Sequence, residues 1–561
     1  MTLCLRPDKF TRFHAAVNVF DGAAPTDIAV TTLMIRRRRI PLGTLLAAVV
    51  ALLLSTACGG DATTGAAGRR TIIDSRDRRD PGTLDPARAS DVANGRAVSY
   101  LYDGLTAFAP DGSLRPGLAS SWNVSPDGRE YVFHLRSGVR FHDGSPFGAR
   151  NVVKSFHRVL DPKESGTRPW PLYPIRGARD FAAGRAGSIS GIVAVDDTTL
   201  RITLDTALAI FPKFLAMPMA SILPDSVPPD IAERPNGTGP WRLVEWRHDD
   251  YLLFARNPEY FGGAPRADSL RARIIAEPST AVAEFETGNV DLLYIPEAET
   301  GQWEDNEDRR SMLSSAPALR LWYVAINTTR GPLRDARVRQ AINHAVDVRT
   351  ILQRLIGGRG RQAAGVVPPS LPGADSARAP YAFDAARARQ LLSDAGHPNG
   401  IDIDLWHSED PTFVRVAQTI QAYLGEAGIR ARLVQRDGNA ARAAARNGET
   451  DLYLKDWYAD YPDAENFLYP LLHTVNRGVG GNVSFYSNPR YDALVNEARV
   501  AVDEARRIEL YRQADSLQFA DAPMIYLVFY NELFAVQRWI RGFEVPVIFN
   551  GQRWTSVSIE P

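Results

Sequence analysis

Residues 401–457 constrain the fold most, because two different periodicities alternate there without interruption. IDIDLW (401–406) alternates apolar and polar side chains, the two-residue period of a half-buried strand. Phe413, Val416, Ala417, Ile420, Tyr423, Leu424 and Ala427 then recur at helical spacing, and Gly428 supplies the stop. IRARLV (429–434) alternates again, an Ala/Arg-rich helix follows at 439–446, and DLYLKDW (451–457) returns to strand. The order β-α-β-α-β predicts a parallel sheet with right-handed crossovers, and therefore an α/β fold.

In open sheets of this kind, ligands bind beyond the carboxyl ends of the strands. That rule selects the segment after the last strand: Tyr458, Ala459, Asp460, Tyr461, Pro462 and Asp463. Trp457, Tyr458 and Tyr461 flank Asp460 there. A carboxylate among aromatic rings suits a cationic amine, since the acid offers charge-assisted hydrogen bonds and the rings exclude water. The same residues also fit a proline-containing turn whose rings are core and whose aspartate caps a helix.

Other segments give local readings. YVFHLR (131–136) alternates as a strand, and DTTLRITL (197–204) reads as a turn entering a strand with Leu200, Ile202 and Leu204 on one face. Residues 335–356 are expected to form one helix, capped by Asp335, with Val338, Ile342, Ala345, Leu352 and Leu355 on its stripe and Gly357-Gly358 at its end. Residues 490–520 read as a helix pair ended by Pro523, and MIYLVFY (524–530) as a buried strand.

The N-terminus reads as an address. Residues 34–58, MIRRRRIPLGTLLAAVVALLLSTAC, place four arginines before an apolar run at 42–54. That run is shorter than the ~20 residues a bilayer span needs, and it suits the core of an export signal. Ser55, Thr56 and Ala57 lead into Cys58, as in a bacterial lipoprotein signal whose cysteine is lipid-modified. The pattern departs at Ser55, where a leucine is usual, with Leu54 one step further back. A secretory signal cleaved after Ala57, or an uncleaved anchor, fits the same residues. Met34, directly before the arginines, is the expected translation start in place of Met1. GGDATTGAAG, after Cys58, reads as a flexible tether, and no later apolar run reaches transmembrane length.

Catalytic signatures do not emerge. The sequence contains no HExxH, P-loop, GxSxG or GxGxxG pattern. Its nine histidines are scattered, and His142-Asp143 lies in FHDGSP, a turn composition that reads as structural. Glu307 and Asp308 belong to a charged, solvated run. Both cysteines, Cys4 and Cys58, sit near the N-terminus, so the body can build no disulfide framework and no cysteine-based zinc site. Lys+Arg and Asp+Glu balance at 65 each, which gives no electrostatic case for nucleic acid. The expectation is a binding protein with no cofactor and no metal. A surface lipoprotein with an enzymatic or adhesive role would need a catalytic cluster or an exposed repeat.

Five ordered segments resemble one family. GLASSWNVSPDGREYVFHLRSGVRFHDGSPFGARNVVKSF (117–156), GTGPWRLVEW (237–246), NPEYFGG (257–263), NTTRGPLRDARVRQAINHAVD (327–347) and APMIYL (522–527) are similar to the dipeptide- and oligopeptide-binding proteins of ABC importers, the extracellular solute-binding proteins of family 5. The resemblance spans about residues 70–540. It implies a periplasmic-binding-protein-like type II fold, with two lobes, a hinge and an additional inserted domain. The implied layout is 1–58 N-terminal extension and signal, 59–68 tether, 69–110, 216–320 and 533–561 lobe I, 111–215 additional domain II, and 321–532 lobe III.

The resemblance also implies a monomer held by a lipid at Cys58 on the outer face of the cytoplasmic membrane or in the periplasm. Its implied partners are a short peptide and the membrane permease. In peptide-binding members, an aspartate in a Trp-x-x-Asp stretch holds the peptide ammonium. WYAD places Trp457 and Asp460 on those positions, with Tyr458 and Tyr461 as further ligand-binding candidates. Members that bind a nickel chelate, haem, a sugar or an opine-like compound share the fold, so a non-peptide solute is the alternative.

Overall fold

In a computed structural model of the chain, residues 70–560 are described apart from Ser90, Ser165 and Thr167. The expected signal, Cys58 and the tether lie outside the described residues. Among those residues, no helix is long and apolar enough to cross a membrane.

The β-α-β-α-β segment forms as the periodicities require. The strands Ile401–Ser408, Ile429–Arg436 and Leu452–Tyr458 are parallel, with the first lying between the other two. The helix Pro411–Glu426 starts where Asp410 accepts from the backbone N–H groups of Thr412 and Phe413, at 2.9 and 3.1 Å. It buries Val416, Ala417, Ile420 and Leu424, which also carried the sequence pattern. The register Ile401↔Ile429 depends on two glycines. Gly400 and Gly428 have φ of 81° and 84°, and a Cβ on Gly400 would lie 1.9 Å from the Gly428 carbonyl oxygen.

These three strands are one end of an 11-stranded sheet. Two long antiparallel strands, Leu313–Ile326 and Met524–Val536, run through its middle. Beyond them lie Leu292–Tyr294, Thr71–Asp77, Ser269–Ile274, Tyr251–Arg256 and Trp241–Arg247, in that order. A separate four-stranded antiparallel sheet joins Ala119–Val124, Glu130–Leu135, Thr199–Thr203 and Ile192–Ala194. The helix Ala149–Leu160 packs on it through Val152, Phe156 and Val159.

The long strands are not regular throughout. Their pairing shifts between Pro317 and Leu321, opposite Asn531 and Phe529. At this shift Leu319 turns to other partners: its N–H donates to the Val547 carbonyl (3.0 Å), and its carbonyl accepts from the Ala459 N–H (2.8 Å). Both backbone groups of Leu319 are therefore satisfied at the irregularity, and they tie the segment after Tyr458 to the middle of the sheet.

One expectation needs correction. Residues 335–356 form two helices, Ala336–His344 and Val348–Leu355. The break falls where Asp347 adopts a non-helical conformation and its carboxylate accepts from the Thr350 N–H at 3.1 Å, starting a second helix. The apolar stripe reads as continuous because both helices bury their faces in the same core, Ile342 and Ile351 included.

Candidate functional site

The strand Leu452–Tyr458 places alternate side chains on opposite faces of the sheet. Leu452 and Leu454 enter the core under the Pro411–Glu426 helix, whereas Tyr453 and Trp457 pack on the other face with Phe467, Leu468 and Tyr491. One edge of this strand pairs with Leu313–Ile326 along its whole length. The other edge pairs with Ile401–Ser408 at Leu452 and Tyr453 alone, so 454–458 have no paired strand on that side among the described residues.

Asp460 follows directly. Its N–H donates to the Asn466 side-chain oxygen at 2.8 Å, which fixes the turn, and the residue is 8% exposed. Its carboxylate is occupied: Arg168 donates through Nη1 and Nη2 to the two oxygens, at 3.0 and 2.6 Å. This is the bidentate geometry in which guanidinium and carboxylate pair most strongly. Burial works to lower the Arg168 pKa, and the facing carboxylate outweighs it, so the net direction is upward. Arg168 lies between the Ala149–Leu160 helix and the turn Trp170–Leu172, and the pair connects positions 292 residues apart.

A second bridge lies three residues on. Asp463 receives Lys213 Nζ at 2.7 Å and Arg507 Nη1 at 2.8 Å, and Lys213 also donates to the Pro462 carbonyl at 2.6 Å. Burial alone would raise the Asp463 pKa, but the two cations overcome it and hold the carboxyl below its ordinary value.

The four candidates have distinct surroundings. Trp457 is half-buried, and its indole N–H has no partner among the described residues. Tyr458 is half-buried, with its ring 6.3 Å from that of Phe549, and burial pushes its hydroxyl pKa up. Asp460 carries Arg168. Tyr461 turns inward: it is 2% exposed, its ring meets Phe214 edge-on at 5.0 Å and Trp170 at 6.2 Å, and its hydroxyl donates to Glu465. Trp457, Tyr458 and Asp460 thus share one strand end, whereas the placement of Tyr461 is that of a packing residue.

Sequence reading missed a polar group on the strand face opposite Trp457, the face that Tyr458 shares. Asp456 accepts from Arg320 Nε at 2.8 Å, and the Arg320 guanidinium lies 5.1 Å from the Tyr530 ring centre. Tyr530 donates to Glu297 at 2.7 Å and meets the Tyr294 hydroxyl at 2.9 Å. Arg359 stacks over both tyrosine rings at 4.9 and 5.1 Å. These residues come from five separate segments, around 294–297, 320, 359, 456 and 530, and no local spacing signals them.

Comparisons with known proteins fit this architecture. Residues 113–478 match the family described as bacterial extracellular solute-binding proteins, family 5 Middle. The chain is 32% identical over 453 residues to the heme-binding protein A of Haemophilus influenzae, covering 76% of this chain and 81% of that protein. It is 30% identical over 476 residues to the glutathione-binding protein GsiB of Pectobacterium atrosepticum, covering 82% and 89%. Among solved structures it resembles the ABC transporter-associated periplasmic binding protein DppA from Helicobacter pylori in complex with peptide STSA. That match has a TM-score of 0.75 and 28% identity, and covers 88% of this chain and 98% of that one. The fold is thus the two-lobed α/β fold of periplasmic binding proteins, and these relatives are binding proteins rather than enzymes.

Proposed function

We propose that this chain, which belongs to family 5 of the bacterial extracellular solute-binding proteins and is the substrate-binding component of an ABC importer, captures short peptides. The observation that carries the reading is the unpaired strand edge at 454–458 leading straight into Asp460. An extended peptide can add its main chain to such an edge, and its terminal ammonium then reaches the Asp460 carboxylate. Trp457 and Tyr458 supply the walls. Arg168 holds the cation's place and is displaced by the ammonium.

In the same reading, the lobes are 69–110 with 216–320 and 533–561, and 321–532. Residues 111–215 form the additional domain. The lobes close about the irregularity at Pro317 and Leu321 in the long strands. The protein acts as a monomer held by a lipid on Cys58 beside the permease.

Thermal stabilisation by a peptide library tests the site. Asp460→Ala is expected to abolish the stabilisation, a loss of ~10- to 150-fold in affinity. Arg168→Ala is expected to keep or strengthen it, because an internal competitor is gone. Unchanged stabilisation of Asp460→Ala would sink the assignment. The Arg168 pair also favours a second reading, in which the solute has no free amine and binds with the pair intact. The two substitutions would then weaken binding alike.

A further inference from the structure

Lys455 sits one strand position from the Arg320–Asp456 pair, on the other face of the sheet. Its ammonium lies 5.6 Å from the ring centre of Tyr323 and 5.7 Å from that of Trp457. Tyr323 is the cross-strand neighbour of Lys455, and Trp457 is the next residue on the same face. Trp406 is the strand neighbour of Tyr453 and extends the aromatic floor.

What distinguishes this place is an excess of donors. Among the described residues, the Trp457 and Trp406 indole N–H groups and the Tyr323 hydroxyl are buried without hydrogen-bond partners, and Tyr323 is 1% exposed. Lys455 adds an ammonium that forms no ion pair among the described residues. Asp456 is the carboxylate that acts on Lys455, but it projects from the opposite face and is held by Arg320. Arg442 and Arg446, one helical turn apart on the helix Gly438–Arg446, add positive potential from the side. A half-buried cation with aromatic walls, unused donors and, among the described residues, no counter-charge on its own face lacks one thing, an acceptor that brings negative charge.

We propose that Lys455, Trp457 and Tyr323 form a subsite for a carboxylate of the bound solute, with the ammonium as its counter-ion and the buried donors as its hydrogen-bond partners. The proposal rests on the peptide reading for its setting, since the subsite adjoins the strand edge that the peptide is expected to join. Burial, aided by Arg442 and Arg446, brings the Lys455 pKa down to about 8, a strain that a bound carboxylate relieves. The carboxylate can come from an acidic side chain or from the peptide's C-terminus, and the two sources are separable.

The test is calorimetric titration of the purified protein and of Lys455→Met with Ala-Glu-Ala and Ala-Gln-Ala, each with a free or amidated C-terminus, and with glutarate. The wild type is expected to prefer the carboxylate-bearing member of one pair by about tenfold or more. Lys455→Met is expected to erase that ratio, with the melting temperature of the unliganded protein unchanged. A ratio set by Glu against Gln identifies a side-chain acid, and one set by amidation identifies the terminus. Binding of glutarate but of no peptide, lost in Lys455→Met, would uphold the subsite and overturn the peptide reading. Ratios that Lys455→Met leaves unchanged, or no carboxylate preference in any probe, would overturn the subsite.

Discussion

His142 is drawn largely out of water beside the Gly239 carbonyl, which lies 3.0 Å from its Nε2. A carbonyl only accepts, so Nε2 carries a proton and faces it as the donor. Burial pushes its pKa down to about 4 from the ordinary value of 6.5. The unfolded chain therefore binds a proton between pH 6.5 and pH 4 that the folded chain refuses, and stability falls as pH drops through that window. Urea denaturation at pH 7 and pH 4.5 is expected to show a loss of roughly 2 kcal/mol attributable to this residue. His142→Gln, which can keep a donor toward Gly239, should flatten the slope, and an equally steep slope in that variant would contradict the assignment. The turn composition of FHDGSP made the structural role of His142 readable. Asp460 was only half readable: the strand-end rule located it, but Arg168, 292 positions away, leaves no local trace. Tyr461 was misleading in the same physical sense, because an aromatic after a strand serves a cleft or a core equally well until Phe214 and Trp170 are placed around it.

The element most completely legible was the run 401–457, because each strand and helix there buries one face and the burial imposes the period. The division of 335–356 is hidden by its continuous apolar stripe, although Asp347 is a residue type that caps helices. Two helices that feed one core produce a stripe that outlasts either of them. The glycines that start the parallel strands offer a sharper test. Gly400 combines a left-handed conformation with a close approach to the Gly428 carbonyl. Gly400→Ala should cost about 1–3 kcal/mol through backbone strain and displacement of the neighbouring strand. The measurement is the urea midpoint at unchanged m-value, and a midpoint equal to that of wild type would show that the approach is not needed.

The 11-stranded sheet continues through the two long strands, and its irregularity at Leu319 joins three parts of the chain. The Ala459 N–H and the Val547 carbonyl both meet Leu319, so the residue before Asp460 is anchored at the point where the long strands leave register. Arg168–Asp460 and Lys213–Asp463 then connect that strand end to 111–215. In the proposed reading, a solute that displaces Arg168 would act on one of these links directly. The family and the two-lobed architecture were legible from ordered motifs spread along the chain. The links between the parts were not, because they join residues by fold rather than by spacing. Whether Asp460 receives the ammonium of a peptide is decided by titrating the protein calorimetrically with trialanine and with N-acetyl-trialanine. Acetylation, which removes the charge and leaves the main chain, is expected to weaken binding by at least about tenfold in the wild type and to make no difference in Asp460→Ala. Equal affinities of the wild type for the two peptides would contradict ammonium recognition at Asp460.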